Sequence, residues 1–143
     1  MKNANGGRHR DADLLRQYDL ELPARYRRPF NLRAVARLSA MRLAGDIGAF
    51  SDLSRLECRI KPIQFGDPTT LANLDAFFAR PDARRVPITT AVFDRATVVR
   101  ATFGFKLGDS LHLAAAVEAG CDTFLTNDIR LATFTDINIE VLP

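Results

Sequence analysis

A chain of 143 residues, 47% apolar and 26% charged, fits one globular domain long enough to bury a core. No apolar run approaches the roughly 20 residues that a bilayer crossing needs, and the opening MKNANGGRHRDADLL lacks the apolar stretch of a secretory signal, so no membrane role and a cytoplasmic place are expected. The net charge of +3 hides an asymmetry: residues 1–42 carry ten Lys/Arg against four Asp/Glu, and residues 43–143 carry ten against thirteen. A basic arm beside an acidic body suits a polyanion held near a cation pocket, and equally suits a plain solvated segment.

In chain order, residues 1–10 are polar and Gly-rich and read as disordered. Leu14, Leu15, Tyr18 and Leu22 have helical spacing until Pro23 and Pro29 interrupt it. Asn31 to Leu43 reads as an amphipathic helix with Leu32, Val35, Ala36, Leu38 and Met41 facing inward, stopped at Gly45. Ile47 to Phe50 reads as a short strand, and Ser51-Asp52 caps a helix from about Leu53 to Arg59 that Pro62 ends. Asp67-Pro68 opens a helix with Leu71, Leu74, Phe77 and Phe78 as its buried stripe. After a Pro/Arg loop, Val86-Pro87 leads into a helical stretch to about Thr102, with Val92, Ala96 and Val99 on one face.

The last third is the clearest. Ser110 to Ala119 is a strong helix signal, capped by Asp109 and stopped by Gly120. Thr123 to Thr126 is a short strand ending at Asn127-Asp128, Arg130 to Phe134 a helical turn, and Ile137 to Leu142 a final strand. Helices alternating with short buried strands predict an α/β fold with a mostly parallel central sheet flanked by helices. Ligand sites in such sheets lie at the carboxyl ends of strands, where Asp128 falls. Cys58 and Cys121 are too few and too far apart for a zinc pair and read as small buried hydrophobes.

Three acids stand out, each with an ordinary explanation. Glu57 lies between Arg55 and Arg59, on a helix with Leu53, Leu56 and Ile60, and can be neutralised by either arginine. Asp109 can be a helix cap, and Asp128 a turn residue bonding its own backbone. Taken together they sit on elements of kinds that can converge on one edge of a sheet. Three packed carboxylates repel, and a hard divalent ion, Mg²⁺ or Mn²⁺, resolves that conflict. Such an ion serves phosphodiester hydrolysis.

The segment FGFKLGDSLHLAAAVEAGCDTFLTNDIRL resembles the carboxyl-terminal signature of the PIN domain found in VapC-type toxins, and SDLSRLECRIKP is similar to the family's segment carrying its second acid. The resemblance covers roughly residues 31–143, leaving residues 1–30 as an atypical amino-terminal segment. It implies a PIN-like three-layer fold and a metal-dependent ribonuclease of a type II toxin–antitoxin pair. Glu57, Asp109 and Asp128 would be its second, third and fourth acids, with Thr126 and Asn127 orienting water or ligand nearby. His112, one turn from Asp109, matches a histidine common in such sequences and reads as a packed or hydrogen-bonded helix residue. Implied partners are RNA, an antitoxin peptide in the acidic groove, and a second copy of the chain.

The resemblance fails at the other end. The family opens with an apolar strand running into an acid that is a principal metal ligand, and residues 1–30 contain no such pattern. Asp19 has the right separation from Glu57 but lies in RQYDLELP, without the strand or the hydroxyl/amide pair; Asp13 fits no better. A shifted reading frame or wrong start, a degenerate domain that no longer cuts, or an unusual opening that still delivers Asp19 would each account for this. The alternative function is therefore a catalytically inactive PIN-like domain that retains antitoxin or RNA binding. Loss of the first strand would also leave backbone groups in the sheet without partners.

Overall fold

The computed structural model describes residues 2–4, 37, 40–41, 43–79, 81 and 84–142, the first three by their backbone. Its elements are β1 (Lys2–Ala4), β2 (Asp46–Ser51), α1 (Asp52–Gln64), α2 (Pro68–Phe78), β3 (Arg84–Val86), α3 (Thr90–Phe103), α4 (Leu107–Glu118), β4 (Thr123–Thr126), a 3₁₀ turn (Ile129–Thr133) and β5 (Asn138–Val141). The sheet order is β3-β2-β1-β4-β5. The pairs β2–β3 and β4–β5 are parallel, so the predicted α/β class holds.

The centre of the sheet departs from expectation. Residues 2–4, read from sequence as disordered, form a strand antiparallel to both neighbours. Lys2, Asn3 and Ala4 pair with Gly48, Ile47 and Asp46, and Lys2 alone pairs with Thr123. Composition predicted disorder because these residues bury little apolar surface, but backbone hydrogen bonding needs no apolar side chain. Asp13, Asp19 and most of the predicted helix over residues 31–43 lie outside the described residues. Met41, predicted to face inward, is buried, and the Arg37 guanidinium pairs with Glu140 on β5.

The core lies around α3, α4 and β4. Val92, Ala96 and Val99 are buried on α3, as their spacing predicts, and Thr89 caps that helix through Val92 N–H. On α4, Leu111 and Leu113 through Ala116 are buried beside Phe105, Phe124, Leu131 and Phe134. The run of alanines lets the helix backbone approach its neighbours closely, while Leu113 fills the remaining space. Gly120 ends the helix region with φ of 67°, a left-handed conformation that favours glycine. A second aromatic group joins Phe50 of β2 to Phe77 and Phe78 of α2, with ring centres 5.7 and 4.9 Å away.

Several boundaries move. The helix expected to stop before Pro62 continues to Gln64, with Pro62 inside and buried. Proline removes one intrahelical donor but so near the end little helix remains to be disrupted. The expected face of Leu53, Leu56 and Ile60 splits: Leu53 packs against the core, whereas Leu56 and Ile60 are exposed. The stripe of α2 is buried at Leu74 and Phe78, and Thr70 joins it, its hydroxyl bound to the cap Asp67 at 2.9 Å. β3 lies in the Pro/Arg loop, where two arginines mask an edge strand. Cys121 is buried as expected, but Cys58 is exposed. No helix among the described residues is long and apolar enough to cross a membrane.

Candidate functional site

Glu57 lies on the exposed side of α1, and the helix carries it to the start of α4. Its Oε2 stands 2.9 Å from His112 Nε2. A Cβ added at Gly108 would stand 3.3 Å from Glu57 Oε1, so the small residue there lets the carboxylate approach the α4 backbone. The suggested arginine partners go elsewhere: Arg59 and Arg55 both reach Asp75 of α2, at 2.9 and 3.4 Å. They therefore brace α1 against α2 and leave Glu57 to face α4. His112 is a hydrogen-bonded helix residue, as expected, but its partner is the second acid of the proposed set.

Asp109 sits in the first turn of α4 rather than at its cap. The helix begins at Leu107, with Lys106 as the capping residue and no side-chain cap bond. Lys106 takes extended backbone angles, so the first turn absorbs Leu107 and Gly108. An acid in the first turn still meets the positive end of the helix dipole. Asp109 is half-buried, one turn from His112 on the same helix.

Asp128 lies two residues beyond the end of β4 and caps the 3₁₀ turn, its Oδ1 accepting from Arg130 N–H at 3.0 Å. The turn reading and the site reading thus describe one residue. The Arg130 guanidinium also grips this carboxylate, with Nε 2.9 Å from Oδ1 and 3.1 Å from Oδ2, and Nη2 on Oδ2. These bonds hold the Asp128 carboxyl down at about 2, with the backbone bond to Arg130 N–H and the charge of Lys106 adding to them. The Arg130 guanidinium is raised in turn, first by Asp128 and in smaller part by the nearby charge of Asp109. Arg130 thus pairs with Asp128 and lies in the field of Asp109.

Thr126 Oγ1 accepts from Asp128 N–H at 3.0 Å and so fixes the turn that presents the acid. Asn127 is exposed beside it. Sequence reasoning missed Arg130 as a member of this group. Its spacing of two from Asp128 is the signal that could have found it, because a side chain so close can reach back over an Asx turn.

The donors fit a hard divalent ion in kind, being three carboxylates with no thiolate among them. In placement they are held as two groups, Glu57 with His112 and Asp128 with Arg130. Among the described residues, no three His, Cys, Asp or Glu side chains stand close enough to hold a metal ion together. A groove of about 680 Å³ runs past Ala91, Val98, Phe103, Glu118 and Asp136, and none of the three acids lines it.

The crystal structure of VapBC2 from Rickettsia felis bound to a DNA fragment from their promoter is similar in fold, with a TM-score of 0.62 at 12% sequence identity. The match covers 92% of this chain and 96% of that one. No curated protein matches the chain in sequence. The sequence profile of the PIN domain matches residues 22–137, most of the chain and all of the segment that carries Glu57, Asp109 and Asp128. With the sheet order, the Gly108–Glu57 approach and the Asp128 turn in place, this match establishes that the chain belongs to the PIN domain family.

Proposed function

We propose that this chain is the toxin-type member of a toxin–antitoxin pair, a metal-dependent endoribonuclease that hydrolyses RNA phosphodiester bonds in the cytoplasm. The observation that carries the reading is the meeting of α1 with the start of α4. Glu57 stands against Gly108 and His112, on the turns that flank Asp109, in a chain of PIN type. Glu57, Asp109 and Asp128 would hold Mg²⁺ or Mn²⁺ through oxygen, with Asp19 as a candidate fourth ligand outside the described residues. A hard divalent ion supplies an activated water and offsets charge gathering on a phosphoryl oxygen.

The chain's own residues prepare that site in stated ways. His112 holds the Glu57 carboxylate toward α4, and Thr126 fixes the backbone that presents Asp128. Asn127 lies exposed beside the acids, where an amide can orient water or a phosphate. The domain is taken to span 31–143, with residues 1–30 as an added segment that contributes β1. The likeness in fold to VapBC2, solved bound to a DNA fragment from its promoter, supports an antitoxin partner. We take that partner to lay a peptide along the acidic edge, and the chain to work as a homodimer.

The test is an RNase assay of the purified chain with Mg²⁺ or Mn²⁺, beside Asp109→Asn. Cleavage that disappears in the variant supports the enzyme. A second reading, an inactive PIN-like domain that still binds antitoxin or RNA, is favoured by the internal partners of Glu57 and Asp128. Retained RNA binding with no cleavage under any divalent metal would select it.

A further inference from the structure

We propose that Arg130 is an internal counter-ion that holds Asp128 out of the acidic group, so that a divalent ion completes its site only by displacing this guanidinium. The inference rests on reading the three acids as a metal site, and adds a residue that works against it.

A carboxylate offers about four lone-pair positions. Asp128 already takes the Arg130 backbone N–H at 3.0 Å, Nε at 2.9 and 3.1 Å, and Nη2. Little remains for a cation. The guanidinium fork is planar and matches a carboxylate, and it stays charged at any accessible pH, so no titration releases it.

Charge adds to this. Arg130 also lies in the field of Asp109, so a cation approaching both acids meets a like charge nearby. Displacement is nevertheless open. The Arg130 side chain is 66% exposed, while that of Asp128 is 24% exposed. The arginine can therefore swing into solvent without breaking core packing, and an exposed ion pair is weak enough to exchange. The backbone bond from Arg130 N–H to Asp128 Oδ1 does not depend on the guanidinium, so the turn survives the exchange.

The experiment is Mn²⁺ binding to the full chain, followed by calorimetry and by the electron paramagnetic resonance of the ion, for wild type, Arg130→Gln, Arg130→Lys, Asp109→Asn, and Arg130→Gln combined with Asp109→Asn. Arg130→Gln is expected to bind Mn²⁺ about tenfold more tightly, a difference of about 1.4 kcal/mol. Arg130→Lys, which keeps a charge but loses the fork, should fall between. Thermal melts report that each variant is folded. Equal or weaker binding by Arg130→Gln overturns the proposal, since weaker binding would make the arginine an aid to Asp128. If wild type and Arg130→Gln bind equally and Asp109→Asn abolishes both, the counter-ion role fails and the metal site stands. If no form binds Mn²⁺, or Asp109→Asn changes nothing, the metal reading fails and the counter-ion role with it.

Discussion

The centre of this sheet and the β4 side of it are built on different principles. Around β4, side chains do the work: α4 lays Leu111, Leu113 and its alanines against Phe124, Leu131 and Phe134, and β5 pairs with all four residues of β4. Around β1, the described residues pair by their backbone, over three residues and against the direction of the neighbouring strands. The acids follow the same division. Asp109 and Asp128 are fixed by a packed helix and a hydrogen-bonded turn, whereas the first acid of the family has no counterpart among the described residues. A well-packed region carries its functional side chains to defined places.

Stability should be unequal in the same sense. Leu113 is fully buried, so Leu113→Ala is expected to cost about 2–5 kcal/mol, read from urea unfolding. Asn3→Pro removes one backbone donor from the central strand and should cost about 1 kcal/mol, the worth of one ladder bond. A loss from Asn3→Pro equal to that from Leu113→Ala would break the comparison and make β1 a full partner in the core.

Much of the well-packed region was legible in the sequence. The 3.6-residue spacing of Val92, Ala96 and Val99, the alanine-rich run after Asp109, and the Thr-Asn-Asp end of a short apolar strand each report one local choice, and each appears in the structure. What was hidden depended on groups far apart in sequence. Nothing local says that Glu57 meets His112, or that Arg55 and Arg59 turn to Asp75. β1 was invisible because strand formation there draws on backbone groups that every residue carries. Arg130 was local enough to find, but it was read only as part of a helical turn.

The charge of the Asp128 turn gives a smaller effect with a definite sign. Its carboxyl is lowered from 3.8 to about 2, chiefly by Arg130. A depressed carboxyl contributes stability that is present above its unfolded pKa and lost as pH falls through about 2. The pair is exposed, so thermal melting between pH 4 and 2 should register only a slight change from it, at roughly the level of surface ion pairs. Side-chain NMR should place the Asp128 titration near 2 in wild type and closer to the ordinary carboxylate range in Arg130→Gln, where the backbone bond still lowers it. An unshifted titration in wild type would remove the guanidinium from the carboxylate in solution.

Thiol chemistry offers the finest contrast. Cys58 is exposed, and Cys121 is buried with its thiol pushed up by that burial. At pH 8, iodoacetamide should label Cys58 readily and Cys121 only on unfolding, as mass spectrometry of the digested chain would read. Equal labelling would mean that the strand-side core opens more often than its packing implies.

The pairing of Lys2 with Thr123 also sets an order of events during synthesis. A ribosome delivers residue 2 long before residue 123, so the central strand must wait for most of the chain to emerge before its second neighbour exists. Contacts so distant along the chain carry a loop-closure cost that nearby contacts do not. The helical pair α3 and α4, adjacent in sequence and rich in mutual contacts, can assemble within a short stretch of nascent chain. The middle of this sheet is thus the place we expect to close last.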